Sequence, residues 1–254
     1  MVYDQEGSWL ADLYDADYEA LRTPSGDVDF YVEEARNAGG PVVEFGCGTG
    51  RVLVPTAEAG VEITGVDSSR DMLDKARENL KGRGVTAELR LGDMLEHVVG
   101  KKFSLVTIPF RPLAHIIETE DHIRLFRNMR RHLAPGGRLV FDHFQFNPKF
   151  LGSSGQERLE MDREEDGRRI RRYGTSRPDL STQVSDIFLR WEIEDAEGRI
   201  ERRECRFRMR WFYRFEVEHL LARCGLGIET IYGNFDRSGF DRESPEMIFV
   251  ATET

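Results

Sequence analysis

The chain has 254 residues, of which 39% are hydrophobic and 32% charged, with a formal net charge of −10. That length suits one α/β core with an insertion and is too short for two large independent domains. The 16 Phe, 7 Tyr and 3 Trp supply enough bulky material for a core, while the acidic balance disfavours a nucleic-acid partner. Cys47, Cys205 and Cys224 are widely spaced and suggest neither a zinc site nor a disulfide framework. No basic-then-apolar leader or apolar run of membrane length is present, so the expected setting is the cytoplasm, with no membrane partner.

In chain order, residues 1–40 are polar with scattered aromatics, and a helix is predicted over 27–37, ended by Gly39-Gly40-Pro41. Pro41-Val42-Val43-Glu44-Phe45 reads as a buried strand, followed by the tight loop Gly46-Cys47-Gly48-Thr49-Gly50 and a helix from Arg51 to Ala59. A second strand spans 62–66, and Ser69 caps a helix running to about Leu80. Strands are predicted over 86–91 and 103–108, a helix over 120–133, and a strand over 138–142 after the turn Pro135-Gly136-Gly137. Strands alternating with helices imply a mostly parallel, Rossmann-like α/β sheet with flanking helices.

After about Phe144 the rhythm changes. Ile187, Leu189, Trp191 and Ile193 alternate with outward residues, Asp195-Ala196-Glu197-Gly198 makes a turn, and Cys205, Phe207, Met209 and Trp211 alternate again. This period of two predicts an inserted antiparallel β-hairpin with one apolar face, in which Trp191 and Trp211 are core. The basic run Arg168–Arg172 follows Glu164, Glu165 and Asp166 and reads as a solvated strand face. A helix over 215–224 and two strands, 228–232 and 247–251, complete the chain.

Glu44, Asp67 and Asp93 stand at the ends of three successive strands, where an open α/β sheet binds ligands, so all three are expected to face one crevice. The loop reads Gly46-x-Gly48-x-Gly50, with Arg51 where a dinucleotide fingerprint has its third glycine. A pyrophosphate avoids an adjacent carboxylate, whereas Glu44 suits a cationic ligand and Asp67 a ribose diol.

Val43–Gly50 resembles motif I of the class I S-adenosylmethionine (SAM)-dependent methyltransferases. Gly65–Ser69 with Met72-Leu73 resembles their second motif, Gly92-Asp93-Met94 the third, and Leu133–Arg138 the segment that follows. The resemblance implies a SAM-binding set of Tyr18, Glu44, Gly46, Cys47, Gly48, Gly50, Asp67, Ser68, Met72, Asp93, Met94 and Pro109, with no metal. In that family the loop glycines approach the methionine part, the second-motif acid holds the ribose and the third-motif acid contacts the adenine amine; Asp93 also reads as a helix N-cap.

Leu10–Asp15, Pro109–His115, the insertion and Tyr232–Asp236 are similar to the small-molecule branch, which includes the amino-sugar N-methyltransferases and the glycine and sarcosine methyltransferases. That similarity implies that Tyr14 and His115 lie near the acceptor, with His115 the candidate base. Tyr14 and Tyr18 also read as one apolar helix face. Arg111 departs from the small polar residues common there, and either binds an anionic substrate or pairs with a surface carboxylate.

The expected organisation is a lid segment (1–40), a SAM-binding core (41–145), an antiparallel insertion that covers substrate or forms a homodimer (146–214), and a C-terminal helix with closing strands (215–254). The expected function is methyl transfer to N or O of a small molecule. A non-catalytic SAM-binding protein and a nicotinamide oxidoreductase are the alternatives.

Overall fold

The computed structural model describes residues 26–254 together with Trp9, Leu13 and Asp17. Tyr14 and Tyr18 lie outside the described residues. The strands of the main sheet are β1 (Val42–Phe45), β2 (Ile63–Asp67), β3 (Glu88–Leu91), β4 (Phe103–Ile108), β5 (Leu133–Phe144), β10 (Leu226–Tyr232) and β11 (Glu246–Glu253). Their order is β10-β11-β5-β4-β1-β2-β3, with β11 antiparallel to β5 and β10 and the other pairs parallel. The chain runs outward from β1 through β2 to β3, then returns to the other side of β1 to lay down β4 and β5. The sheet therefore reverses direction beside β1, which opens a crevice past its carboxyl end.

Helices α1 (Asp27–Asn37), α2 (Leu53–Glu58) and α3 (Arg70–Arg83) cover one face, and α4 (Thr119–His132) and α5 (Arg214–Arg223) the other. Alternate strand residues serve the two faces. Val42, Ile63, Leu105 and Val140 pack with Phe30, Tyr31, Leu53 and Leu73, whereas Val43, Phe45, Val106 and Phe141 pack with Phe126, Met129, Val217 and Leu221. Helix α1 is thus part of the core wall, although the sequence groups it with the first 40 residues. Ser69 caps α3 as expected by accepting from the Met72 N–H, and Gly84 closes it in the left-handed conformation.

The insertion is larger than the predicted hairpin. Strands β6 (Arg158–Glu165), β7 (Arg168–Asp179), β8 (Val184–Glu194) and β9 (Ile200–Arg210) form a four-stranded antiparallel sheet in that order. β6 and β7 are joined by Asp166-Gly167, both at positive φ, the conformation of a tight two-residue hairpin turn. One apolar face of this sheet is divided between two tasks. Trp191, Ile193, Ile170, Met161 and Cys205 pack with Trp9 and Leu13, while Ile187, Leu189, Phe207 and Met209 face a cavity over the main sheet. Trp9 meets Trp191 edge-on at 5.3 Å. Asp17 accepts from the Trp191 indole at 2.6 Å and from Arg163 at 3.1 Å, and so ties the N-terminal segment to the insertion.

Candidate functional site

The crevice past β1 and β4 holds a cavity of about 380 Å³. Its floor comes from the main sheet: Gly46 and Gly48 of the glycine loop, Asp67, Ser68 and Ser69 after β2, Met72 of α3, and Pro109 to Pro112 after β4. Its roof is the insertion, through Glu160, Arg172, Ile187, Leu189, Phe207 and Met209, and His115 stands at the side. A second cavity of about 420 Å³ adjoins it and shares Arg111, Glu160, Ile187, Leu189 and Met209. That second space is bounded by Phe144, Phe146, Gln145, Gln156, Arg158, Thr175, Ser176 and Ser185, a mixture of aromatic and hydrogen-bonding groups.

The glycine loop turns under the cavity because Gly46, Gly48 and Gly50 all adopt positive φ, which side-chain-bearing residues rarely do. A Cβ on Gly50 would lie 2.9 Å from Val54, so the loop also needs glycine there to sit against α2. Asp67 fixes the loop: one oxygen accepts the Gly48 N–H at 2.8 Å and the other the Ser69 N–H at 2.9 Å.

Of the three acids expected to converge, Asp67 alone reaches the cavity wall. Glu44 is only 2% exposed; its Oε2 has no hydrogen-bond partner among the described residues, and burial with Asp67 nearby pushes its carboxyl up. Asp93 is exposed and accepts the Leu95 N–H at 2.8 Å; it caps a short turn, where the N-cap reading expects a helix. Cys47, Gly50 and Met94 also lie off the wall. Cys47 is a core thiol raised by burial, and Met94 supports Gly46 from below. Ser68, Met72, Pro109 and His115 do line the cavity, and the Ser68 hydroxyl is buried without a hydrogen-bond partner among the described residues. Burial lowers His115 to about 4, so its imidazole is neutral at physiological pH.

Tyr31, Asp142 and Glu246, which sequence reasoning did not place at the site, shape it together with Phe110 and Arg111. Phe110 and Arg111 both hold left-handed backbone conformations (φ 69° and 61°). Asp142, on β5, secures that turn by accepting the Phe110 N–H at 2.7 Å and the Tyr31 hydroxyl at 2.6 Å. Glu246, on β11, is fully buried and pairs with the Arg111 guanidinium; burial pushes it up to about 7 against the pull of Arg111. Arg111 therefore pairs with a buried carboxylate, where the sequence offered a surface one. Arg51 bonds Asp27 at 2.7 Å and lies 5.0 Å from the Phe110 ring, bracing the same turn. The signal for Asp142 was its place at the ligand-bearing end of a strand; Glu246 and Tyr31 reach the site only through long-range packing.

A buried carboxylate and a buried hydroxyl with unfilled hydrogen-bonding capacity, next to a glycine cradle, suit a ligand with cationic and hydroxyl groups. That is the chemistry of SAM. A family model described as a methyltransferase domain matches residues 42–137. The CcbJ methyltransferase from Streptomyces caelestis has a similar structure, with TM-score 0.78, 27% identity and 96% of each chain covered. Residues 42–137 thus form a methyltransferase domain of the SAM-dependent kind. SAM-bound CalS10 from Micromonospora echinaspora, an amino pentose methyltransferase, matches this methyltransferase with TM-score 0.75 and 26% identity over 95% of this chain and 97% of that one. A dTDP-3-amino-3,4,6-trideoxy-alpha-D-glucopyranose N,N-dimethyltransferase of Streptomyces venezuelae is 26% identical over 228 residues, 88% of this chain and 92% of the relative. The nicotinamide alternative falls with this assignment; Arg51, in place of a third glycine, is committed to Asp27 and Phe110. Among the described residues of this methyltransferase no helix is long and apolar enough to cross a membrane.

Proposed function

We propose that the chain transfers a methyl group from SAM to an amine on a sugar-like small molecule. The observation that carries this reading is the pair of joined cavities between the switch point of the sheet and the insertion. The first suits SAM: the Gly46–Gly50 loop would face its methionine part, the buried Glu44 carboxylate would complement its positive charge from behind the wall, and Asp67 with Ser68 would offer oxygens to the ribose diol. Met72 and Pro109 would flank the nucleoside, Met94 holds up the loop, and the Asp93 oxygen not used by Leu95 is the contact for the adenine amine. When bound, SAM supplies an electrophilic methyl whose leaving thioether needs no proton.

The chain's own work is alignment and exclusion of water. The roof residues Ile187, Leu189, Phe207 and Met209 close the cavity from above, the Asp142-anchored turn sets its side wall, and neutral His115 accepts a hydrogen bond from the acceptor and takes its proton. Tyr14, outside the described residues, and Tyr18 would complete the site from the N-terminal segment, which Asp17 ties to the roof. In this reading the part of residues 1–40 that precedes α1 contributes the lid, α1 with 41–145 and 215–254 the SAM-binding core, and 146–214 the cover of the acceptor. An amino-sugar acceptor is supported by the named activities of the relatives and by the polar groups of the second cavity.

We further propose a small-molecule partner in the cytoplasm, with neither nucleic acid nor membrane bound, and a homodimer formed through the insertion. The exposed Leu159 and Ile200 on its two edge strands, with Leu180 in the turn between β7 and β8, offer apolar contacts for such an assembly; a single light-scattering mass equal to one chain at every concentration would remove it. The acceptor is tested by incubating the protein with SAM and, separately, a dTDP-linked amino hexose, sarcosine and a simple phenol. A mass gain of one methyl on the amino sugar supports the reading; methylation of the phenol alone overturns it.

A further inference from the structure

We infer that Glu160 binds the acceptor's amine and sets the preference for nitrogen over oxygen, a step that rests on the amine-methylating function proposed above. Glu160 lines both cavities, where the acceptor must meet the methyl donor. It is the extra residue of a β-bulge: Leu159 pairs with Tyr173 and Met161 with Arg172, so nothing on β7 faces it in register. Bulges re-aim a side chain out of the regular alternation, and this one turns a carboxylate across the sheet.

Two neighbours hold it there. Arg172 donates to Oε2 from Nε at 3.1 Å and lies at 3.0 Å through Nη2, leaving Oε1 without a hydrogen bond among the described residues. Gly174 leaves the space in which the carboxylate lies; a Cβ at that position would come within 2.1 Å of Oε1. Gly174 does not have positive φ, so its backbone gives no reason for glycine, whereas the Glu160 carboxylate does. The side chain is 36% exposed and so reachable from the cavity.

The other carboxylate among the described wall residues, Asp67, already accepts a backbone N–H on each oxygen, and its remaining capacity faces the ribose in the proposed function. Glu160 is therefore the anionic group at the junction that can receive an N–H. The nitrogen lone pair forms the new N–C bond while the C–S pair stays on sulfur, and positive charge develops on nitrogen. A carboxylate accepting its N–H stabilises that charge and directs the lone pair away from itself, and the proton then passes to His115 and on to water. A hydroxyl acceptor also donates to Glu160 but leaves less charge to stabilise once its proton is lost, so nitrogen gains more.

The test uses the full chain with SAM and a dTDP-linked 3-amino-3-deoxyhexose. Glu160→Gln is expected to raise the KM of the amino sugar and lower kcat/KM by about ten- to a hundredfold, the scale of a lost charged hydrogen bond. SAM affinity by calorimetry should stay within about twofold. Gly174→Ala keeps the charge yet displaces the carboxylate, so it should shift KM in the same direction, while Glu160→Asp should recover part of the loss. Wild-type amine turnover with Glu160→Gln and Gly174→Ala equally active overturns the role of Glu160 and leaves the proposed function standing. A wild-type protein that methylates hydroxyls and no amine overturns both.

Discussion

Asp142 offers the sharpest structural perturbation. Its Oδ1 accepts both the Phe110 N–H and the Tyr31 hydroxyl in a buried setting. Asp142→Ala leaves the buried Tyr31 hydroxyl and the half-buried Phe110 N–H without an acceptor, at a cost of about 1–3 kcal/mol each, or about 2–6 kcal/mol together. For a chain of this size 1 kcal/mol moves Tm by about 2–4 °C, so a fall of about 4–24 °C is expected. Asp142→Asn still presents an oxygen to both donors and removes a carboxyl that burial holds above its ordinary range, so it should cost under about 1.5 kcal/mol. The turn at Phe110 and Arg111 stores left-handed strain of about 1–3 kcal/mol per residue and relaxes once released. The alanine variant should therefore lose SAM affinity as well as stability, and the asparagine variant should lose little of either. Thermal unfolding followed by circular dichroism, with calorimetric SAM titration, reads both quantities. An alanine variant that melts within about 2 °C of the parent, or an asparagine variant as damaged as the alanine one, refutes this account of the turn.

Asp67→Ala should weaken SAM binding by about 1.5–3 kcal/mol, because the loop and the α3 cap lose their acceptor along with the ribose; unchanged calorimetric affinity in a folded variant contradicts it. His115→Ala should cut turnover by about 10²-fold or more with SAM affinity near wild type, and since His115 titrates at about 4, the wild-type rate should show no inflection from it between pH 6 and 9; undiminished turnover in the variant rules the role out. His143 is fully buried, has no hydrogen-bond partner on either ring nitrogen among the described residues, and is lowered to about 3 by burial and by Arg111 and His122. Its folded pKa lies below its ordinary 6.5, so the unfolded chain takes up more protons as pH falls, and its contribution, full above 6.5, is lost toward 3. Glu246, raised to about 7, acts in the opposite sense, its contribution being present below its ordinary 4.5 and lost as pH rises through 7. His143→Phe should therefore lose less stability than the parent between pH 7 and 4.5 in urea titrations; equal losses contradict the assignment.

The sequence showed the main sheet because its strands are continuous apolar runs punctuated by caps and glycines, and Phe103–Ile108 coincides with the predicted strand. It showed β8 and β9 through alternation around Asp195–Gly198. Strand β6 was hidden, and β7 showed only as the solvated strand face at Arg168–Arg172, because their stability comes from charged cross-strand contacts such as Arg169 with Asp162 and Arg172 with Glu160. Asp166-Gly167 was the signal that could have exposed them. At the site, the glycine loop and Asp67 were legible because motif and function share one short segment. Glu160, Asp142 and Glu246 were not, since a bulge or a partner far along the chain gives each its place. Asp93 kept both of its readings in the sequence, and the structure shows it as a turn cap.

The central claim is most directly tested by mixing the protein with SAM and a dTDP-linked amino hexose and following both products by mass spectrometry. The account predicts a sugar heavier by one methyl at nitrogen, formed in step with S-adenosylhomocysteine and lost when the protein is omitted. SAM bound tightly by calorimetry, with no methylated product from that sugar or any other amine offered, would contradict it.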